Sequence, residues 1–349
     1  MVIKMVKNNK NNTIMVDKLK LNQVQLDRID RKLLSELDKN CRIPNTQLAK
    51  KIKKSRETVQ YRIQQLISKG IITGFITSIN PNIFGYYMFK VYLKLENIPQ
   101  EREKFYAELK KNKDIYWYGI SDGAFDCVFA IVSKSATEYF EKINSLLSRW
   151  KHLIIAKILG TMVDTRQYNK KFFLKESKES SPTSVIFGGD VKDYQLDEID
   201  SRILNILANN ARIPLLQLAS KLHSTIEIVR NKIKKLEQQK IILSYRIAVD
   251  LNKLGLEFFK VILYCKALTK QDESALFEWM EQHPNSLYAI RSLAPWEMEF
   301  EFAVESYHHF NQIISELRQR FPHVIRNHEH LIMSYESWMP AYGEAKVIY

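Results

Sequence analysis

The sequence predicts an α+β protein in which two three-helix modules alternate with two strand-and-helix domains. Three observations predict it. Residues 26–91 align with residues 196–261 without a gap at an offset of 170, and 25 of the 66 positions are identical, which marks an internal duplication. Each copy opens on segments of helical hydrophobic period, and each then switches to the two-residue alternation of a strand. The 349 residues suit about two to four compact domains of roughly 100–200 residues.

The repeat carries its own landmarks. LDRID (Leu26 to Asp30) returns as LDEID (Leu196 to Asp200), RIP (Arg42 to Pro44) returns at Arg212 to Pro214, and QLA (Gln47 to Ala49) at Gln217 to Ala219. FKV (Phe89 to Val91) recurs at Phe259 to Val261. The period is far too long for a solenoid, so the chain reads as a tandem of two units. Glu176 to Asp190, rich in Ser, Gly and charge, reads as the linker between them. The expected divisions are a basic tail over 1–25, a helical module over 26–80, a strand-rich domain over 81–172 and a linker over 173–195. A second module over 196–250, a second strand-rich domain over 251–340 and a tail over 341–349 follow.

In the first module Leu26, Ile29, Leu33 and Leu37 form one stripe behind Asp27, a natural N-cap, and Leu196, Ile199, Ile203 and Leu207 repeat it. Pro44 can open a short second helix carrying Gln47, Leu48 and Ala49. A third runs from about Ser55, with Val59, Ile63 and Leu66 inward and Val229, Ile233 and Leu236 as their counterparts. Ser224 and Glu227 have the spacing of a capping box. After Gly70, Ile71 to Asn80 turns strand-like and reads as a wing hairpin. Three short helices, a tight turn before the third and a β wing make a winged helix-turn-helix, whose third helix enters the major groove of double-stranded DNA.

Leu26 to Phe75, with Gly85 beyond, resembles the DNA-binding domain of the leucine-responsive regulator family (Lrp/AsnC, the feast/famine transcription regulators). The second copy is similar to it too, with Lys240 where the first has Gly70. The resemblance implies that each unit continues as a ferredoxin-like βαββαβ effector domain, giving two winged helix-turn-helix domains alternating with two ferredoxin-like domains. Phe84 to Leu95 alternates accordingly, with Phe89, Val91, Leu93 and Leu95 on one face and Met88, Lys90, Tyr92 and Lys94 on the other. A helix with Phe105 and Leu109, strands over Ile115 to Ile120 and Asp126 to Val132, a helix with Phe140, Ile143 and Leu147, and a strand over Leu153 to Met162 complete the set. Leu254 to Ser334 repeats the order.

The charge points the same way. Lys+Arg exceed Asp+Glu by 33 to 16 over residues 1–175, whereas the balance over 176–349 is 20 to 23, so the halves carry +17 and −3. A polyanion partner is expected, and nucleic acid before membrane because no Lys-rich amphipathic helix with a bulky apolar face appears. On the first third helix, Arg56, Thr58, Gln60, Tyr61 and Arg62 point away from Val59 and Ile63 and can reach phosphates and base edges. Lys50, Lys51, Lys53, Lys54 and Ser55 surround the turn before it. The second offers Thr225, Arg230, Asn231, Lys232 and Lys234, with the less helpful Ile226 and Ile228. Residues 26–80 hold 12 basic and 5 acidic residues against 9 and 6 over 196–250. The first module should therefore dominate nonspecific affinity, and Arg62→Ala should cost more binding than Lys232→Ala.

The resemblance also implies an effector site at a Gly-x-(Tyr/Phe)-Asp turn, matched by Gly123, Ala124, Phe125 and Asp126 with Asp122 beside them. Amino-acid-like ligands would bind there between paired domains. Ser292 to Met298 lacks the glycine and has Pro295 and Trp296 before Glu297. The resemblance implies that the effector domains pair through open sheet faces, which would bring Glu297, Glu299 and Glu301, with Trp296, Met298, Phe300 and Phe302 turned to the helices, against Lys90, Lys94 and Lys157. Opposite charge then favours first-with-second pairing within one chain, and two chains could associate further into a homo-oligomer.

No catalysis and no cofactor is expected. His323, His328 and His330, with His308 and His309 nearby, suggest the rival of a metal or tetrapyrrole site, because siroheme decarboxylases resemble this two-domain organisation. Against it, no Cys or carboxylate stands at a recognised ligand spacing, and no phosphate-cradling loop or nucleophile elbow is present. An architectural DNA-binding protein is the other alternative. Cys41, Cys127 and Cys265 are too scattered for a disulfide framework, and no signal peptide or membrane span is evident, so a cytoplasmic protein is expected.

Overall fold

The computed structural model describes residues 23–174 and 184–338. Residues 1–22 of the basic tail, 175–183 of the expected linker and all of the 341–349 tail lie outside the described residues. The first module contains α1 (Arg28–Lys39), α2 (Asn45–Ile52), α3 (Arg56–Ser68) and the strand β1 (Ile72–Ile79). Its effector domain runs through β2 (Tyr87–Leu95), α4 (Pro99–Lys111), β3 (Ile115–Gly123), β4 (Cys127–Ser133), α5 (Ala136–Leu147) and β5 (Ile154–Gln167). After β6 (Val185–Gly188) come α6 (Glu198–Asn209), α7 (Leu215–Lys221), α8 (Ile226–Gln238) and β7 (Ile242–Val249). The second effector domain has β8 (Glu257–Cys265), α9 (Lys270–Gln282), β9 (Ser286–Leu293), β10 (Met298–Val304), α10 (Tyr307–Arg320) and β11 (Ile325–Trp338).

The caps set the module helices. Asp27 accepts from the Asp30 N–H at 2.7 Å and Ser55 from the Thr58 N–H at 3.1 Å, satisfying amides that have no partner within the helix. In the second module Thr225, not Ser224, caps α8, taking the Ile228 N–H at 3.2 Å. Both third helices are followed by a left-handed residue, Gly70 at φ +67° and Lys240 at φ +57°, so the second copy makes the same turn without glycine. Leu33, Leu37, Leu48, Val59, Ile63 and Leu66 fill the first module's core as their periodicity requires.

The wing departs from expectation. Ile72–Ile79 does not fold back on itself; β1 pairs antiparallel with β7 of the other module to form a two-stranded sheet. Each module thus completes the other's wing. The expected linker also contains structure, since β6 pairs with the end of β5.

The effector domains each have the ferredoxin-like strand order, β5-β2-β4-β3 and β11-β8-β10-β9. The long fourth strand of each crosses into the other's sheet: β11 pairs with β3 and β5 pairs with β9. Because β5 also pairs with β2, eight antiparallel strands close into a ring with no free edge between the units. Helices cover the outside. Phe89, Val91, Leu93 and Leu95 pack beneath α4 and α5, and Met298, Phe300 and Phe302 beneath α9 and α10. On α5 the inward ring is Tyr139, stacked on Phe89 at 4.2 Å, while Phe140 is exposed.

The two open faces meet inside the ring, with the expected charge pairing but a different cast. Glu299 accepts from Lys90 Nζ at 2.8 Å, Lys260 Nζ at 2.9 Å, Ser292 Oγ at 2.9 Å and Trp296 Nε1 at 3.3 Å, and it also takes the Tyr92 hydroxyl. Glu301 pairs with Lys260. Glu297 stands outside this group and accepts the Cys265 N–H at 2.7 Å. Lys94 instead pairs with Asp126 at 3.3 Å, and Lys157 is exposed. Trp296 faces the interior between the units rather than the helices, edge-on to Tyr92 at 4.7 Å. Burial favours the neutral carboxyl of Glu299, but the two ammonium groups outweigh it and hold the group ionised, below the ordinary 4.5.

Removing that charge leaves two buried lysines facing one carboxylate. Glu299→Gln is expected to lower stability by roughly 3–5 kcal/mol. Adding Lys90→Met, which restores neutrality around Lys260 and Glu301, should recover part of the loss in urea unfolding at pH 7. The wild-type contribution is fully present above about 4.5, the unfolded carboxyl's value, and is lost as pH falls through the lowered folded value, so Glu299→Gln should flatten the acid limb.

Candidate nucleic-acid interface

The two third helices sit on one frame. Besides the β1–β7 pairing, the modules exchange equivalent contacts: the Cys41 N–H donates to Tyr245 O and the Ala211 N–H to Phe75 O, both at 2.9 Å. Arg42 donates to Ala211 O and lies over the Tyr245 ring at 5.3 Å. Its counterpart Arg212 donates to Cys41 O and, at 2.6 Å, to Asn45 Oδ1, and lies over the Phe75 ring at 5.7 Å. This is why RIP recurs: its arginine clamps the opposite module. Asp38 of α1 adds a link to the effector ring, accepting from Lys170 Nζ at 2.7 Å and from the buried Arg246 of β7 at 3.4 Å.

Around α3, Lys50, Lys53, Lys54, Arg56, Gln60 and Tyr61 are exposed, Tyr61 at 64%. Lys53 sits at φ +55° in the turn between α2 and α3, as its equivalent His223 does at φ +52°. Four of the candidates are engaged within the module. Lys51 pairs with Glu36 at 2.5 Å, the Ser55 hydroxyl serves the cap, and Thr58 Oγ1 meets Ser55 Oγ at 3.0 Å. Arg62 donates to Asp27 and Asp30, each at 2.7 Å, and these hydrogen bonds raise its pKa. In the second module Lys232 turns the same way, onto Asp197 and to Asp200 at 3.3 Å. Arg230, Asn231 and Lys234 are exposed, and Thr225 is used as a cap. Sequence reasoning missed the Arg62 and Lys232 pairs, although LDRID and LDEID, at the same offset, carried the acidic partners.

The turn around Gly123 lies on the seam between the units. Gly123 has φ +117°, and a Cβ there would stand 2.5 Å from His330 O on β11, so only glycine fits. Asp122 is exposed. Phe125 is buried against Tyr92 and Trp296, with centroids at 5.5 and 6.0 Å. Asp126 is nearly buried, accepts the Leu95 N–H at 2.9 Å and faces Arg102 at 3.5 Å and Lys94. Glu297 repeats that backbone contact in the second domain, so the two acids are equivalent and hold the first strand of each sheet. The histidines do not converge on a metal: among the described residues no three His, Cys, Asp or Glu are placed to hold one, and His330 packs against Tyr307 and Phe310. Among the same residues no helix is long and apolar enough to cross a membrane.

Two helix-turn-helix modules on a shared frame above paired ferredoxin-like domains define the class of the protein. Residues 26–73 match the winged helix-turn-helix DNA-binding family and residues 196–237 the AsnC-type helix-turn-helix domain. A proline dehydrogenase transcriptional activator from Rhodobacter capsulatus is 30% identical over 130 residues, 37% of this chain and 84% of that protein. The leucine-responsive regulatory protein of Salmonella typhimurium is 27% identical over 159 residues, 45% of this chain and 96% of that protein. The chain belongs to the Lrp/AsnC family of transcription regulators. The two-unit fold is shared with the siroheme decarboxylase NirDL, at a TM-score of 0.60 and 11% identity, over 89% of this chain and 92% of that one.

The seam gives a stability prediction. Gly123→Ala is expected to destabilise the protein by roughly 1–3 kcal/mol through backbone strain and the clash with His330 O, whereas Gly74→Ala, with Ala248 Cβ at 3.8 Å, should be tolerated. Thermal unfolding of the two variants checks it.

Proposed function

We propose that the chain is a sequence-specific DNA-binding transcription regulator in which one polypeptide supplies two unlike reading heads. The observation that carries this is the exposed cationic group at the first head, Lys50, Lys53, Lys54 and Arg56, around a third helix whose module is clamped to its twin through the wing and the reciprocal arginines. Such a group neutralises phosphates, and each contact adds roughly −0.9 to the log–log slope of affinity against salt. Side chains anchored within the module position the helix; exposed ones are available to the DNA. A cytoplasmic location goes with this reading.

Effector control belongs to the same proposal. Asp122 offers an exposed carboxylate for an ammonium group, and Lys94, part-exposed beside the turn where it donates to Gly123 O at 3.1 Å, can face a carboxylate, so an amino-acid-like molecule suits the turn around Gly123. The second domain has no such glycine, and its turn is occupied by the buried Trp296. The likeness in fold to a siroheme decarboxylase, over 89% of the chain, favours one second reading, a tetrapyrrole-acting enzyme.

Selection of bound duplexes from a random pool tests the regulator. An enriched motif supports it, and the absence of enrichment together with a new absorbance band on adding a tetrapyrrole would favour the enzyme. Arg56→Ala should weaken DNA binding and flatten the salt slope with the unfolding midpoint unchanged, whereas Arg62→Ala should lower midpoint and affinity together. Amino acids added singly should raise the midpoint for at least one, and Asp122→Asn should abolish that shift; no shift with any of them removes effector control.

A further inference from the structure

The two reading heads differ in chemical character at the N-terminal end, where a recognition helix makes its base contacts. By the 170-residue offset, Arg56 of α3 becomes Ile226 of α8, and Thr58 becomes Ile228. Both isoleucines lie in the first turn of α8 and stand at the surface, 36% and 46% exposed. The module's core does not need them, because Val229, Ile233 and Leu236 are the buried residues of α8. Of the polar side chains near this end, Thr225 caps the helix and Glu227, exposed between the two isoleucines, is an anion that phosphates repel, while Lys232 in the middle of α8 is held by Asp197 and Asp200. Arg230 and Lys234, farther along, remain exposed for phosphates.

Branched aliphatic side chains have one apolar target among the base edges of the major groove, the C5-methyl group of thymine. Hydrogen-bonding groups on the other bases would be desolvated against them without compensation. We propose that α8 reads thymine methyl groups through Ile226 and Ile228, so that the half-site beneath the second module is thymine-rich. The half-site beneath α3 is read instead by hydrogen bonds from Arg56, Thr58 and Gln60. The proposal rests on the DNA-binding reading and specifies what it recognises. Because the β1–β7 pairing and the reciprocal arginines hold both heads on one frame, the half-sites keep one spacing and differ in content. Leu216 on α7 is a further exposed apolar residue of this module, at 66%, which makes a protein occupant the competing account.

Deoxyuridine tests it, because it keeps every hydrogen-bonding group of thymine and removes only the methyl. The full chain is titrated with its selected duplex carrying deoxyuridine in one half-site or the other. Substitution in one half is expected to weaken binding about fourfold per contacted methyl, and substitution in the other to leave it unchanged. In Ile226→Ala/Ile228→Ala, whose changes are at the surface, the sensitivity should disappear while the unfolding midpoint stays. A selected duplex indifferent to deoxyuridine in both halves overturns the proposal and leaves DNA binding standing. So does sensitivity that survives in the variant, or a variant that alters only sedimentation, the mark of a protein-covered patch. Failure of any duplex to enrich overturns DNA binding itself, and the proposal with it.

Discussion

Glu299 is a carboxylate without access to water, and the pairing of the two units depends on how it is compensated. Its donors come from both: Lys90 and Tyr92 from the first, and Lys260, Ser292 and Trp296 from the second. Lys90 and Lys260 are equivalent in the duplication, but the position of Glu299 is Val128 in the first unit and that of Glu301 is Ala130. Two first units face to face would bury two lysines with no carboxylate, and two second units would bury four carboxylates with two lysines. Only the unlike pair is neutral. Since an uncompensated buried charge costs several kcal/mol, the arrangement selects its partner by excluding the alternatives.

That selection reaches the reading heads through continuous structure. β5 and β11 each belong to both sheets, so the ring cannot open without breaking strand pairing on both sides. From the end of β5, Lys170 reaches Asp38 of α1, and Arg246 of β7 donates to Asn169 at 2.8 Å and to Tyr168 O at 3.1 Å. The buried arginine thereby joins the second module to the first unit's last strand and, through Asp38, to the first module. Lys170 and Arg246 together tie the ring to α1 through Asp38.

Much of this was legible in the sequence because it is local or repeated. Asp27 as a cap, the stripe of Leu33 and Leu37, and the alternation from Phe89 to Leu95 each follow from a period or a spacing, and the structure keeps them. The wing was not legible. A strand's composition declares that it needs a partner but does not name it, and Ile72–Ile79 takes the equivalent strand of the other copy. The same holds for charge at the candidate site. Arg62 reads as a phosphate contact from its place on the helix, yet Asp27 and Asp30, more than thirty residues away in sequence, claim its guanidinium. Trp296 was misassigned because alternation was extended past the end of β10 into a turn, where period two no longer applies.

What the duplication retained and what it released follow from burial. Leu37 and Leu207, Leu48 and Leu218, Val59 and Val229, Ile63 and Ile233, Leu66 and Leu236 are identical pairs and all buried. Left-handed backbone is kept at Lys53 and His223 although the side chains differ, so there it is conformation and not chemistry that is held. At the exposed face the pairs are Arg56 and Ile226, Thr58 and Ile228, Gln60 and Arg230, Tyr61 and Asn231. A regulator assembled from two identical chains must change both reading heads with every substitution, and its target is bound to remain a palindrome. Fusing the units removes that constraint while the arginine clamps and the shared wing preserve the spacing, so each helix can be fitted to its own bases.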